Sequence, residues 1–181
     1  MRLPLVLLIT LLGIVGPMHA QKTERVTKKT TKRKAVTSRA SYTFYIMDKI
    51  NEMDSIYSEY ENAVQVVWSE RLDHKILNKS AAPYLEQLTH IKELVSRQKP
   101  FADGEEYKQA TLTYLEAVRE KVETLEKMGV LGANANSDLN EYYDAYQAFN
   151  DATNKGIEAR NHLRQVKYTY ETGKPARTGM Q

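Results

Sequence analysis

Seven apolar side chains recur at alternating steps of four and three residues in the first half of this 181-residue chain. This spacing places all of them on one side of an α-helix and is typical of a seam packed against other helices. We therefore predict a first helix over 42–74, with the stripe drifting later to Trp68, Leu72 and Ile76 because 3.6 residues per turn exceed a 3.5-residue repeat. The stripe consists of Ile46, Ile50, Met53, Tyr57, Tyr60, Val64 and Val67.

Two further helices follow from the same periodicity. The second is predicted from Ser80 to Lys99, where a proline follows and stops it. The third opens on a predicted capping box, with Asp103 as the cap and Glu106 three residues later, and it ends at Gly129. Their inward stripes are Leu85, Leu88, Ile91 and Val95 in the second helix, and Tyr107, Ala110, Tyr114, Val118, Val122 and Leu125 in the third.

A fourth helix is predicted to begin after Ser137 and to end before Gly173. Its pattern weakens around Gly156, where glycine costs about 1 kcal/mol relative to alanine, so either the helix kinks or a neighbour comes close. No segment after residue 20 alternates long enough to predict a strand. The predicted inner face consists of Leu139, Tyr142, Tyr146 and Phe149, followed by Ile157, Leu163, Val166 and Tyr170.

Four helices joined by short turns predict an all-α fold, an antiparallel up-down-up-down four-helix bundle over 41–172 with long first and fourth helices. Residues 173–181 are predicted to be a disordered tail. The first helix would begin, and the fourth would end, beyond the shorter middle pair, as a two-helix stem. Aromatic side chains on this stem either cover one another or form a contact surface for a homodimer or another partner. They are Tyr42, Tyr45, Tyr168 and Tyr170.

Residues 1–20 have the composition of a cleavable secretory signal peptide. Arg2 supplies one positive charge, the apolar run 3–15 is too short to span a bilayer comfortably, and Ala20 suits the position before a cut. We predict cleavage between Ala20 and Gln21 and export to the periplasm or the cell surface; the alternative is a retained membrane anchor. Cysteine is absent from the sequence, which excludes disulfides and thiolate metal ligands.

Charge is unevenly divided along the chain. Residues 21–40 hold eight basic side chains against one glutamate, a net charge of +7, whereas 41–181 carry a net charge of −5. The basic segment has too few bulky apolar residues to offset the entropy of ordering, so it is predicted to be a disordered linker. It would attract anionic lipid or acidic polysaccharide; nucleic acid is disfavoured because aromatic side chains for stacking are missing from the segment. The candidate contact residues are Lys28, Lys29, Lys32, Arg33 and Lys34.

Several segments together resemble a family of exported, all-helical bacterial surface proteins of unknown function. The likeness rests on the heptad first helix, the short second helix, the 101–107 segment FADGEEY, the stripe that contains Tyr114, and the NEY opening of the fourth helix at 140–142. It covers roughly 42–170. The resemblance implies an exported helical bundle, and it implies no active-site residue, cofactor or substrate.

The sequence lacks a glycine-rich phosphate loop, a nucleophile elbow, a zinc-protease motif and a calcium loop. A glutamate stands four residues before each histidine of the exported part, which puts both on one helix face. Di-iron bundles use a three-residue spacing, and histidines at different heights cannot share one metal. We interpret these pairs as surface ion pairs and predict no metal, no cofactor and no enzyme activity. They are Glu70–His74, Glu86–His90 and Glu158–His162.

The 12 tyrosines offer the best candidate for a binding site. Counting residues from the pole where the first helix ends brings Tyr57, Tyr60 and Tyr114 to the height of Thr153 and Gly156. Large rings opposite small residues either interdigitate, as in a close-packed interior, or leave a cleft lined by hydroxyls. The second alternative predicts a site for a sugar or a small apolar ligand.

The sequence therefore predicts an exported, non-catalytic helical-bundle protein with a binding or structural role in the cell envelope and an unidentified protein or envelope component as its partner. One alternative is an adaptor held at an anionic surface by residues 21–40. Another is an enzyme with a site of tyrosines and carboxylates. A cleft with two strongly shifted titratable groups would favour the enzyme, and an apolar patch on the stem would favour the interaction module.

Overall fold

The computed structural model of the chain describes residues 36–175, which hold helices and no strand. The all-α class is thereby confirmed for this part of the chain. The predictions for the signal peptide at 1–20, for 21–35 of the basic segment and for 176–181 of the tail lie outside the described residues. The helices within 36–175 are α1 Arg39–Ser69, a short 3-10 helix His74–Leu77, α2 Ala82–Arg97, α3 Glu105–Ala133 and α4 Leu139–Thr172.

Helix α1 begins inside the segment that charge alone marks as a linker. Ser38 caps it: the Ser38 side chain accepts a hydrogen bond from the Ser41 amide at 3.1 Å, and the Ser41 hydroxyl oxygen accepts one from the Ser38 amide at 3.0 Å. Arg39 is the first helical residue, and its guanidinium lies 2.7 Å from a carboxylate oxygen of Asp103. The last residues of the 21–40 segment therefore belong to the folded body.

The apolar stripe of α1 does not continue to Leu72 and Ile76 as predicted. The helix ends at Ser69, earlier than predicted, and Arg71 then adopts a left-handed conformation with φ of 53°. Because the helix has stopped, Leu72 and Ile76 do not continue its buried face; they are 38% and 57% exposed. Leu77, in the short 3-10 helix, is buried in their place.

The inward stripes predicted for α2 and α3 are confirmed. In α2, Leu88, Ile91 and Val95 are fully buried, and Leu85 is partly buried against the core. All six stripe residues of α3 are buried. They meet the stripe of α1, in which every residue except Tyr57 is buried. The three stripes form one continuous hydrophobic core.

Both predicted ends of α3 are wrong. The capping residue is Gly104, which has no side chain to cap with, because Asp103 is engaged by Arg39 instead. The helix then continues past Gly129 for another turn, and the glycine is not left-handed. A Cβ at Gly129 would lie 3.0 Å from Val64 Cγ1, so glycine serves close packing against α1 rather than helix termination.

The inner face of α4 differs most from its prediction. Its capping residue is Asp138 rather than Ser137, and Leu139, Tyr146 and Ile157 are 64%, 46% and 54% exposed. Phe149, Leu163, Val166 and Tyr170 of the predicted face do lie inward, and alanine or glycine holds the other positions of a seam that runs at alternating steps of four and three along α3, the main packing partner of α4. The buried and partly buried residues of this seam are Ala145, Phe149, Ala152, Gly156, Ala159, Leu163, Val166 and Tyr170.

Three buried rings meet where α1 and α3 begin and α4 ends. Tyr42 packs edge-on against Tyr107 and Tyr170, with ring centroids 6.2 and 5.8 Å apart. The centroids of Tyr107 and Tyr170 are 5.5 Å apart, so each ring touches both others. We call these three residues the tyrosine cluster.

The tyrosine cluster overturns the prediction of a two-helix stem. Tyr42 and Tyr170 are buried by Tyr107 of α3, which reaches the same level. Tyr45 donates a hydrogen bond to the Leu94 carbonyl of α2 at 3.0 Å. Of the four predicted stem tyrosines, Tyr168 alone is largely exposed, at 47%. The third helix is longer than predicted: α3 has 29 residues and α1 has 31, so no pair of helices extends alone.

Candidate ligand-binding cleft

Four of the five predicted site residues come together between α1, α3 and α4. Tyr57 of α1, Tyr114 of α3, and Thr153 and Gly156 of α4 line one cleft of about 270 Å³. Tyr57 is partly exposed because the neighbouring Ile56 takes the core position at this level of α1. Rings and small residues thus leave a space at this height instead of filling it. We call it the cleft.

Tyr60, the fifth predicted site residue, does not line the cleft. Its side chain is fully buried on another face of α1, where its hydroxyl oxygen lies 3.1 Å from Ser80 Oγ and its ring centroid 4.9 Å from that of Tyr84. Residues three apart on a helix diverge by about 60° around its axis. The prediction placed Tyr57 and Tyr60 in one site because they lie at similar heights along α1, but this angle directs their side chains to different faces of the helix.

A network of charged hydrogen bonds joins the three helices at the cleft. Arg160 of α4 contacts Asp54 of α1 through two nitrogens, at 3.0 and 2.8 Å from the two carboxylate oxygens. Tyr114 of α3 donates its hydroxyl hydrogen to Asp54 Oδ1 at 2.5 Å and accepts one from Arg160 at 2.9 Å. Such paired, charge-assisted hydrogen bonds fix geometry as well as adding energy.

Lys121 of α3 lies in the cleft beside Gly156. Its ammonium is 3.7 Å from the centre of the Tyr57 ring, a cation–π contact. A Cβ at Gly156 would be 3.2 Å from Lys121 Cδ, so the glycine makes room for the lysine stem. Of the two explanations that the sequence offers for this glycine, the close neighbour is confirmed. The Tyr57 hydroxyl points away to Glu61, to which it donates at 2.8 Å.

The two phenols of the cleft are weaker acids than ordinary tyrosines. Burial raises the pKa of Tyr114, and the hydrogen bond to Asp54 and its charge raise it further, against an opposing effect of Arg160. Burial also raises the pKa of Tyr57, together with its hydrogen bond to Glu61. Both hydroxyls therefore keep their protons at neutral pH and act as hydrogen-bond donors.

The ammonium of Lys121 is disfavoured by its surroundings. Burial lowers its pKa; the charges of Glu61 and Asp54 oppose this shift and the charge of Arg160 adds to it. The net direction is downward, which means that nearby carboxylates do not fully compensate the desolvation of this cation.

Three charged residues of the cleft are missed by the sequence analysis: Asp54, Lys121 and Arg160. Apolar stripes predict which residues pack in the core, and the charged residues beside them were interpreted as solvent-facing. A usable signal exists, because Lys121 follows Tyr114 and Arg160 follows Thr153 by seven residues, which returns to the same helix face. Extending each predicted site residue by one heptad would have found both cations.

A larger and more open groove lies between the end of α3 and the start of α4, with a volume of about 640 Å³. Charges of both signs line it, including Lys127 and Glu141, and Glu126 is occupied in accepting a hydrogen bond from the Ala81 amide at 3.1 Å. Size alone does not define a site.

The three glutamate–histidine pairs play no part in the cleft. In the described part of the chain, no group of three histidine or carboxylate side chains is placed to hold a metal ion. His74 contacts Asp73 at 3.4 Å rather than its predicted partner Glu70. This correction follows from the early end of α1 at Ser69, which leaves Glu70 and His74 on no common helix.

A scan against protein-family models and searches among curated proteins and solved structures found no match to this chain. The resemblance to exported helical surface proteins therefore stays a prediction. No helix within 36–175 combines the length and apolar character needed to cross a membrane. The candidate anionic-contact residues Lys28, Lys29, Lys32, Arg33 and Lys34 lie outside the described residues.

Proposed function

We propose that this chain is an exported, non-catalytic binding protein of the cell envelope whose cleft holds a small hydrophilic ligand about the size of a monosaccharide. The observation that carries the proposal is the convergence of an aromatic ring, hydroxyls and cations from three helices on one space of about 270 Å³. Ligand sites are concave and carry a few converging polar groups, and drug-sized ligands occupy about 300–1,000 Å³. A smaller space suits a smaller ligand.

We infer an antiparallel up-down-up-down arrangement for the four helices. It is supported by the ends that touch. Tyr42, near the start of α1, contacts Tyr107 near the start of α3 and Tyr170 near the end of α4. Trp68, near the end of α1, donates a hydrogen bond at 2.9 Å to the carbonyl of Gly129 near the end of α3. In this arrangement the cleft lies midway along the bundle, at a level that α1, α3 and α4 all reach.

The chemistry of the cleft favours binding over catalysis. Tyr57 and Tyr114 meet the criterion of two shifted groups, but both pKa shifts point away from neutrality, whereas a general acid or base works best with a pKa near the working pH. Both oxygens of Asp54 are already bonded by Arg160. Lys121 alone shifts toward neutrality, and no acid of the cleft is placed to work with it.

Nuclear magnetic resonance titration of the chain with glucose and with N-acetylglucosamine tests the proposal. We expect amide shifts confined to residues that line the cleft, and we expect them to disappear in Ser58→Trp, because this exposed serine lies at the cleft and an indole there would block it. Ser55→Trp is the matched control, an exposed serine one turn earlier on α1 that does not line the cleft.

Each outcome of this titration either supports or contradicts the proposal. Shifts that survive Ser58→Trp, or that map to the larger groove near Glu141, would contradict the cleft as the site. Absence of binding by every sugar-sized ligand tested would contradict the proposed function itself. Loss of binding in Ser58→Trp with retention in Ser55→Trp supports it.

A second candidate function is an adaptor held at an anionic envelope surface. The uneven charge favours it, since residues 21–40 carry +7 and the rest of the exported chain carries −5. Binding to vesicles that contain anionic lipid should fall steeply as salt rises, and replacing the five candidate cations with glutamine should abolish it. Salt-insensitive binding, or equal binding to neutral vesicles, would contradict this role. The five are Lys28, Lys29, Lys32, Arg33 and Lys34.

A further inference from the structure

Lys121 is a partly buried cation without a carboxylate partner. In the described part of the chain, no carboxylate oxygen forms an ion pair with it, and its ammonium contacts the Tyr57 ring instead. Four other lysines of the helices have such partners, at 2.5–3.7 Å. Desolvation of a cation without a carboxylate in ion-pair contact is costly, and it lowers the pKa of Lys121 although the charges of Glu61 and Asp54 oppose the shift. These paired lysines are Lys49, Lys92, Lys155 and Lys167.

Thr153 lines the same cleft with a hydroxyl that has no partner among the described residues, although its oxygen is buried. Threonines inside helices commonly donate to the carbonyl four residues earlier. Thr89, Thr111 and Thr124 do so here, each at 2.8 Å. Thr153 does not, so one hydrogen bond stays unmade in the fold; because the Thr153 oxygen is buried, a ligand oxygen meets it only when the side chain turns toward the cleft.

The carboxylates around the cleft are already engaged. Asp54 holds Arg160 through both oxygens, and Glu61 accepts the hydrogen bond of the Tyr57 hydroxyl. Among the residues that line the cleft, Asp54 and Arg160 form an ion pair, so Lys121 carries the charge left unpaired there; Glu61, whose charge also acts on Lys121, does not line the cleft. The cleft therefore offers one positive charge and one unused hydroxyl to whatever enters it.

We propose that the ligand of the cleft is acidic: a sugar-sized molecule whose carboxylate or phosphate is held by the Lys121 ammonium and the Thr153 hydroxyl. This inference rests on the proposed binding function and specifies its substrate class. An anionic group would supply the opposite charge that the lysine lacks and the acceptor that the threonine lacks. Charge-assisted hydrogen bonds of this kind are about twice as strong as neutral ones.

Calorimetric titration of the full chain with glucose, glucuronate and glucose 6-phosphate tests the inference. We expect at least one acidic sugar to bind about tenfold or more tightly than glucose, as removal of a charged hydrogen bond predicts. The preference between glucuronate and glucose 6-phosphate identifies the acidic group as a carboxylate or a phosphate. Lys121→Met should remove the advantage of the acidic sugar. Lys155→Met is the matched control, since Lys155 is an exposed lysine paired with Glu120 outside the cleft.

Thr153→Val provides a second, independent variant. It keeps the shape of the side chain and deletes a hydroxyl that bonds to nothing in the unliganded fold. We expect a higher melting temperature for the unliganded chain and weaker binding of the acidic sugar. Thr124→Val is its control: this hydroxyl donates to the Glu120 carbonyl at 2.8 Å, and its loss should leave binding unchanged.

Three results would overturn the inference or its basis. Equal affinity for glucose and both acidic sugars, with Lys121→Met inert, removes the acidic ligand and leaves the binding function in place. An advantage of the acidic sugar that survives Lys121→Met removes the lysine as its holder. Absence of binding by all three sugars contradicts the binding function as well. A melting curve for Lys121→Met at or above that of the parent chain excludes misfolding as the cause of any loss.

Discussion

In the tyrosine cluster, the hydroxyls of Tyr42 and Tyr107 are buried and bond to nothing in the described part of the chain. Two turns along α3, the hydroxyl of Tyr114 donates to Asp54 and accepts from Arg160. Both levels are built by α1, α3 and α4, and both place tyrosine on the same seam of α3. In the cluster, Tyr42 and Tyr107 serve as apolar bulk and the Tyr170 hydroxyl donates to the Phe101 carbonyl at 3.1 Å, whereas at the cleft Tyr114 joins a charged network across the helices.

The partner on α4 explains this difference. At the cluster, α4 presents Tyr170, a third ring that closes the space. At the cleft it presents Thr153 and Gly156, which leave space, and Arg160, which fills part of it with charge. Whether a level of this bundle is closed or open therefore depends on the side chains that α4 supplies there, and not on the number of tyrosines present.

The largest expected effect is alkaline unfolding, which tests what the two levels share. Burial raises the pKa of Tyr42 and Tyr107 in the cluster and of Tyr57 and Tyr114 at the cleft. The native state then holds protons that the unfolded chain releases above pH about 10, so stability falls as pH rises beyond that point. Circular dichroism should show loss of helix together with the rise in phenolate absorbance. Phenolate formed at these rings with helices intact would contradict the prediction.

Truncating one ring at each level comes next in size. Tyr107→Ala should cost about 3–5 kcal/mol of unfolding free energy, the usual range for deleting a large buried aromatic side chain. Tyr57→Ala should cost about 1–2 kcal/mol because that ring is partly exposed and borders an open space. Denaturant unfolding measures both. Equal losses would mean that the cleft carries as much packing as the cluster.

Adding a methyl group at each level should change stability in opposite directions. At Gly104, a Cβ would meet Tyr42 Cε1 at 2.9 Å and the Phe101 carbonyl oxygen at 3.0 Å, so Gly104→Ala should cost about 1–3 kcal/mol through overpacking. At Gly156, a Cβ would meet the flexible stem of Lys121, and alanine gains helix propensity. We expect Gly156→Ala to stabilise the fold by about 0.5 kcal/mol. Thermal melts that fall for both variants would refute the distinction.

Removing a single hydroxyl is the finest test. Tyr114→Phe leaves Asp54 and Arg160 each short of one hydrogen bond and should cost about 1 kcal/mol. Tyr107→Phe removes a buried hydroxyl without a partner among the described residues, so its unfolding free energy should stay equal or rise by a few tenths of a kcal/mol. Chemical denaturation of the two variants side by side decides it. A loss in Tyr107→Phe as large as that in Tyr114→Phe would show that the cluster hydroxyls are bonded after all.

Periodicity predicted the elements whose seams use large apolar residues. The stripe of α1, from Ile46 to Val67, and that of α3, from Tyr107 to Leu125, stand out because all of their buried positions except Ala110 carry bulky apolar side chains. In α4 half of the seam positions carry alanine or glycine, which hydrophobic patterning scores weakly. Exposed Leu139 was consequently preferred over buried Ala145. The seam of α4 has the same spacing of four and three residues as those of α1 and α3, but its small side chains hide that spacing from hydrophobic patterning.

The cleft was predictable in height and not in chemistry. Helix rise placed Tyr57, Tyr114 and Thr153 at one level. The pairing of Asp54 with Arg160 joins residues 106 positions apart, and neither local propensity nor periodicity contains such a distance. Helix geometry separates Tyr60 from Tyr57 by about 60°, but which of the two faces the cleft depends on how the helices are rotated against one another, and packing decides that rotation.

The anchoring of Arg39 has a practical consequence for anyone who trims this protein. Its guanidinium binds Asp103, donates to the Tyr170 carbonyl and lies 4.7 Å from the centre of the Tyr170 ring. A shortened gene designed from charge alone would start at residue 41 and discard this arginine together with the Ser38 cap. Such a product would fray at the end of the bundle where α1 contacts α3 and α4, so expression vectors should retain residues from 36 onward.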